Sequence, residues 1–318
     1  MSFALCIRGT GGNWSAERWR QRLAERMPEV AVSIWPDPAF DPAEVRFAGT
    51  WRPEPGVLAR FPNLEVIFNL GAGVDAVMSD PNLPDVPVVR VVADDLITRM
   101  KEYVLLHVLM YHRRQYRLFA AQRECTWAAE HQWPSSKVRV GIMGFGVLGQ
   151  AVAPPLVDLG FQVSGWSNTR KEAASVRSFA GKGELRAFLG STDILVALLP
   201  ATPETDGILD AGLFRQLARD GVLGGPVLIN AGRGALQNED DILAALDDGT
   251  LLAATLDVFR TEPLPREHRF WTHPKVTISP HNAADSDPDT ISDYVAAQLR
   301  AYEAGRGLKN TVDRKRGY

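Results

Sequence analysis

Residues 144–149, Gly-Phe-Gly-Val-Leu-Gly, constrain the fold of this chain more than any other stretch. Val138, Val140, Ile142 and Met143 before them make a short apolar run of the kind a buried parallel strand needs, and an apolar, helix-like segment follows. A G-x-G-x-x-G turn between strand and helix has a mechanical reading. Gly144 permits the tight turn, and Gly146 lets backbone approach a pyrophosphate. Gly149 allows close helix–strand packing, and the N–H groups at the helix start, around Val147 and Leu148, face the phosphates. The plainer alternative is an ordinary tight βα turn. The strand-to-helix context favours dinucleotide binding.

The turn comes late, with a domain's worth of chain before it, and 318 residues suggest about two domains. A formal charge of −3 gives no electrostatic case for nucleic acid or an anionic membrane. Cys6 and Cys125 cannot form a disulfide framework, and nothing around them suggests a metal site. These features, with no basic, apolar leader and no run long enough to span a membrane, point to a reducing cytoplasm.

Before the glycine turn, strands are expected at Phe3–Ile7, Val30–Trp35, Val45–Ala48, Leu64–Asn69 and Val86–Val92. A helix is expected at 14–27 with Ser15 as cap, and a short one at 55–60. Alternation of this kind predicts an α/β fold with a parallel, doubly wound sheet. Residues 94–120 read as one long helix. Met100, Tyr103, Val104, His107, Val108 and Tyr111 share one face of it, which is expected to bridge domains and bury a subunit contact. The loop 125–134, with Trp127 and Trp133, is expected on the same partner, and His107, His112 and His131 read as structural.

After the turn, a helix over 148–159 contains Pro154-Pro155, which predicts a bend or an early break. Strands are expected at 161–166, 193–199, 226–230, 251–258 and 277–279. A helix at 239–246 is capped by Asn238, and a C-terminal helix at 288–304 returns to the first domain. The tail TVDRKRGY reads as loosely held. Where an NAD-binding fold places an acid for the ribose hydroxyl, about 20 residues past the glycines, this chain has Ser167-Asn168-Thr169-Arg170-Lys171. Hydroxyls and two cations in place of the acid predict NADP(H) as the preferred cofactor, with NAD(H) still possible.

Three polar residues sit at the carboxyl ends of separate expected strands: Arg233 in NAGRGAL, Glu262 in LDVFRTEPLP and His281 in ISPHNAA. Ligands of open α/β sheets bind at that edge, so the three can converge. Each alone also has a bland reading as a surface pair, a loop charge or a helix-entry residue.

Together these segments resemble the D-isomer-specific 2-hydroxyacid dehydrogenase family over nearly the whole chain. The resemblance rests on GAGVD at 71–75, Glu102-Tyr-Val, GFGVLG at 144–149 and LLPATPETDGIL at 198–209. It continues through INAGRG at 229–234, LDVF at 256–259, EPLP at 262–265 and SPHNAA at 279–284. Within the family it is most similar to the branch that reduces glyoxylate and hydroxypyruvate, through GAGVD, the WS-x-x-RK turn at 166–171, LRAFL at 185–189, and EPLP with Trp271 nearby.

The resemblance implies two doubly wound parallel-sheet domains, a flavodoxin-like substrate domain (1–101 and 285–318) and an inserted Rossmann dinucleotide-binding domain (102–284), with the active site in the cleft. Arg233 would hold the substrate's oxygens with its planar fork of donors, and backbone N–H groups around Gly73 and Val74 would bind the carboxylate. His281 would protonate the carbonyl oxygen as hydride arrives, with Glu262 orienting the ring. Asp257 and the backbone near Ala231 would face the nicotinamide, and Pro200 and Thr205 would line the cofactor's path. Trp51 is a candidate wall of the substrate pocket, or a plain core tryptophan.

Three departures stand out. Lys101 replaces a small residue, Asn168 stands where the branch often has arginine, and Gly232 replaces alanine before Arg233. The implied activity is reduction of small 2-oxoacids by a homodimer. The alternatives are larger 2-oxoacids such as phenylpyruvate, or a non-catalytic protein that senses NAD(P).

Overall fold

The computed structural model describes residues 2–8, 14–38, 40–284 and 287–317. The chain divides into two compact units, Met1–Leu96 with Ser286–Tyr318, and Ile97–Asp285.

The first unit carries five strands, β1 (Ser2–Ile7), β2 (Ala31–Ile34), β3 (Val45–Trp51), β4 (Val66–Asn69) and β5 (Val88–Arg90). All pair in parallel in the order β2-β1-β3-β4-β5, the flavodoxin-like winding. Side chains alternate between two apolar layers, as a sheet covered on both faces requires. Phe3, Leu5, Phe47 and Phe68 pack with Trp19, Leu23, Ile291, Val295 and Leu299. Ala4, Cys6, Ala48 and Ile67 pack on the other side with Leu58, Phe61 and Val77. The helix Ala16–Arg26 starts at Ser15 as expected, although the Ser15 side chain makes no cap bond. The helix Pro288–Glu303 belongs to this unit, capped by Asp287, whose carboxylate accepts from Thr290 N.

The tail corrects the expectation of a loose terminus. Val312 is buried, its N–H donates to Val88 O at 2.8 Å, and Arg90 N–H donates to Asn310 O at 3.1 Å. Residues 310–312 thus pair antiparallel with β5 and satisfy its otherwise open edge.

The second unit carries β6 (Arg139–Met143), β7 (Gln162–Ser167), β8 (Arg177–Ala180), β9 (Ile194–Ala197), β10 (Val227–Asn230), β11 (Ala253–Leu256) and β12 (Val276–Ile278). The parallel order β12-β11-β10-β9-β6-β7-β8 reverses direction between β6 and β9. That switch point is where dinucleotides bind in such sheets. Strand β8 and the helix Gly181–Gly190 after it have no counterpart in the sequence reading. RSFA is too short to show a period, and GKG opens the helix with two poor helix formers.

Two helices differ from expectation. The segment read as one helix over 94–120 is two, Asp94–His112 and Gln115–Arg123, broken where Arg114 adopts φ +53. The break turns Arg114 inward, where its guanidinium meets Glu130 at 2.8 Å and Val222 O at 3.2 Å. The face chosen from periodicity is buried within this unit. Tyr103 and Tyr111 hydroxyls bond Ser279 Oγ (2.7 Å) and Thr255 Oγ1 (2.8 Å). His107 Nδ1 donates to Tyr103 O at 2.9 Å, and the His112 ring lies edge-on to Phe161. Burial lowers the pKa of both histidines. The helix Val147–Asp158 does not break at its prolines. Pro154 is exposed and Pro155 half-buried, so neither ring has to fit inside the core.

Candidate active site

The glycine turn follows β6 and opens the helix Val147–Asp158. Gly144 sits at φ +109, and a Cβ there would lie 2.6 Å from the carbonyl carbon of Leu198. A Cβ on Gly149 would lie 2.3 Å from Gly144 O. Both positions are closed to side chains by the protein itself. Gly146 differs, because among the described residues nothing beyond its own chain neighbours comes within 4 Å of the place its Cβ would take. Its lack of a side chain leaves open space over the helix start. The helix's first bonds run from Gln150 N to Gly146 O, so the N–H groups of Val147, Leu148 and Gly149 precede the i→i−4 ladder. An open cradle floored by N–H donors fits a pyrophosphate.

At the end of β7, the adjoining strand, Ser167 Oγ donates to Thr169 O at 2.8 Å. Asn168 is exposed. Arg170 is exposed and engaged, donating to Ser178 O at 2.6 Å and Glu184 at 2.5 Å. Lys171 N lies 3.3 Å from Ser178 Oγ. Beyond β9, Thr205 Oγ1 donates to Pro200 O at 2.7 Å and accepts from Thr202 N, which folds the 200–205 turn. Ala231 is buried just past β10.

Arg233, Glu262 and His281 leave the carboxyl ends of β10, β11 and β12. Arg233 donates to Gly232 O at 2.7 Å. Its loop is gripped by Asn230, whose Oδ1 accepts from Gly232 N (3.0 Å) and whose Nδ2 donates to Arg233 O (3.1 Å) and Gln237 Oε1 (2.9 Å). Asn230 and Gln237 are fully buried. A Cβ on Gly234 would lie 1.9 Å from Phe259 O, so this loop rests directly on the segment that leads to Glu262. The Glu262 carboxylate accepts from Phe259 N at 3.1 Å and meets His281 Nδ1 at 2.8 and 3.0 Å. A carboxylate only accepts, so Nδ1 carries the hydrogen and Nε2 is the imidazole's other working atom. His281 adopts φ +54, and its N–H donates to Asp257 O at 2.8 Å.

Asp257 is buried, and its carboxylate accepts from Ser279 Oγ (2.7 Å), Asn282 N (3.0 Å) and Ala283 N (3.1 Å). It thereby clasps the loop that carries His281.

The remaining predicted residues belong to the first unit. Trp51 ends β3, stacks on Trp14 with centroids 3.8 Å apart, and lies against Gly71. Gly73 O accepts from Asn69 Nδ2 at 2.9 Å, and buried Val74 precedes the short helix Asp75–Met78. Among the described residues no cluster of three or more histidine, cysteine or acidic side chains could hold a metal.

A family model described as D-isomer specific 2-hydroxyacid dehydrogenase, NAD binding domain, matches residues 105–283. The chain belongs to the D-isomer specific 2-hydroxyacid dehydrogenase family. It is 43% identical to glyoxylate/hydroxypyruvate reductase A of Serratia proteamaculans, over 96% of this chain and 97% of that protein. Among solved structures, it is similar to the NADPH-dependent glyoxylate/hydroxypyruvate reductase of Sinorhizobium meliloti in complex with NADP and sulfate. That likeness has a TM-score of 0.93 at 42% identity, covering 100% of this chain and 99% of the other. The D-isomer specific 2-hydroxyacid dehydrogenase of Xanthobacter autotrophicus Py2, in complex with NADPH and MES, superposes with a TM-score of 0.91 at 37% identity, covering 100% and 99%.

The loops that carry the predicted residues are held by others that sequence reasoning missed. Asn230, Gln237, Gly234 and Ser279 carry no chemical signature. Their contribution is buried hydrogen bonding and close backbone approach, which appears only once the strands are aligned. Asn230 and Gly234 stand in INAGRG and Ser279 in SPHNAA, but only as members of those motifs, and Gln237 lies outside them.

Proposed function

We propose that this chain is an NADPH-dependent reductase of small 2-oxoacids, with glyoxylate and hydroxypyruvate as substrates and the D-hydroxyacid as product where the carbon becomes chiral. The observation that carries the reading is the Glu262–His281 pair, held at 2.8 Å beyond a sheet whose switch point bears the open glycine cradle. The N–H groups of Val147 and Leu148 would hold a nicotinamide dinucleotide there, and that cofactor would supply the hydride. Ser167, Asn168, Arg170 and Lys171 hold the 2′-phosphate end, and Pro200, Thr205, Ala231 and Asp257 border the cofactor's path. Backbone N–H groups at Gly73 and Val74 take the substrate carboxylate, with Trp51 as a wall.

Arg233 grips substrate oxygens through a planar fork that polarises the carbonyl. Glu262 fixes the His281 ring through Nδ1, and His281 gives the Nε2 proton to the carbonyl oxygen as C2 gains hydride. Asp257 acts on this step by holding the His281 loop.

Leu106, Phe119, Trp127 and Trp133 are exposed along 94–133, and this surface supports a homodimer formed there. A sedimentation mass of one 35.0 kDa chain contradicts it. No described helix is long and apolar enough to cross a membrane, and with its charge balance and two cysteines the reading is a cytoplasmic enzyme acting on a small molecule.

The test is turnover in His281→Ala and Arg233→Ala. Each is expected to lose about 10²- to 10⁴-fold in kcat while the melting temperature and NADPH binding stay near wild type. A variant keeping wild-type turnover refutes the assignment.

A further inference from the structure

Successive side chains of a strand point to opposite faces, so a residue does not ordinarily lie over its neighbour's ring. Arg52 does. It follows the last residue of β3 at φ +47, a left-handed conformation uncommon outside glycine. This fold-back sets its guanidinium carbon 5.7 Å from the centre of the Trp51 ring, within cation–π range. Trp51 is itself fixed, stacked nearly parallel on Trp14 at 9°. Its six-membered ring closes over Gly71, where a Cβ would sit 2.3 Å from Cζ3. Gly71 opens the turn that leads to Gly73 and Val74. Arg8, exposed at the end of β1, is tied to the same place, its N–H donating to Trp51 O at 3.0 Å. The carboxyl edge of this sheet therefore holds an indole wall with a cation folded onto it. Left-handed non-glycine backbone of this kind persists where surrounding structure enforces it, and it concentrates at ligand clamps.

We propose that Arg52 is a specificity-determining residue that reads a hydroxyl or anionic group on C3 of the 2-oxoacid. This rests on the reading above, in which the Gly73–Val74 backbone holds the substrate carboxylate. Glyoxylate ends at C2 and gives Arg52 nothing to grasp. Hydroxypyruvate offers a C3 hydroxyl, and a dicarboxylic 2-oxoacid offers a second carboxylate.

The experiment compares kcat/KM for hydroxypyruvate and for glyoxylate, with NADPH, on one preparation each of wild type, Arg52→Gly and Arg52→Lys. Glycine accepts the left-handed backbone without strain, and taking the ratio of the two acids cancels any loss of folded enzyme. Arg52→Gly is expected to lower the hydroxypyruvate-to-glyoxylate ratio about 10-fold, chiefly through KM, as for a hydrogen bond to a charged group. Arg52→Lys is expected to recover part of the ratio, keeping the charge without the planar stack. A ratio within twofold of wild type in Arg52→Gly overturns the role of Arg52 and leaves the reductase reading intact. A wild-type protein that reduces neither acid refutes the reductase reading, and the assignment of Arg52 falls with it.

Discussion

Gly144, Gly146 and Gly149 belong to one motif but answer to different neighbours. The first and third are closed by protein backbone, whereas Gly146 faces open space. Gly149→Ala is therefore expected to lower stability by about 1–3 kcal/mol, as forced overpacking does. Gly146→Ala is expected to melt within a degree or two of wild type yet bind NADPH at least about 10-fold more weakly. Thermal melts and fluorescence titration separate the two, and equal loss of stability in both contradicts the division of roles. At this scale much of the candidate site was legible. Arg233, Glu262 and His281 declare themselves by chemistry and by place at strand ends. Asn230 and Gln237 do not, since a buried amide has the same letter whether it clamps a loop or decorates a surface. Arg170 stands beyond the end of β7, and its commitment to Glu184 depends on a helix at 181–190 that the sequence did not reveal.

Elements were legible wherever an apolar period ran long enough. The face of Asp94–His112 was identified residue by residue, and it packs on its own unit's sheet. The break at Arg114 was hidden because a left-handed turn at a non-glycine residue leaves no mark in composition. The same helix makes a prediction about acid. His107 and His112 are buried with lowered pKa, and desolvation is the leading cause for each. The folded state disfavours their charged forms, so the unfolded chain binds protons more readily. Stability is therefore full above the ordinary imidazole value of 6.5 and declines as pH falls below it. Among the described residues His112 Nδ1 has no hydrogen-bond partner, so His112→Phe should cost little at pH 8 and flatten the loss of melting temperature between pH 7 and 5. An unchanged slope in that variant excludes His112 as a source of the acid sensitivity.

At the scale of the whole molecule the late glycine turn signals a folded domain ahead of it, because a dinucleotide-binding sheet that begins near residue 139 leaves a domain's length of chain before it. Two parallel sheets with flavodoxin-like and Rossmann-like windings are what the structure holds. The edges were harder to read, since β8 is too short to show a period and the tail's pairing with β5 is a long-range backbone contact. The central claim is that these sheets carry an NADPH-dependent reduction of small 2-oxoacids. It is tested most directly by initial rates with NADPH and NADH against glyoxylate, hydroxypyruvate, pyruvate and phenylpyruvate. The account predicts fastest turnover with NADPH and with glyoxylate and hydroxypyruvate. Faster reduction of phenylpyruvate, or tight NADPH binding with no oxidation by any of the four acids, contradicts it.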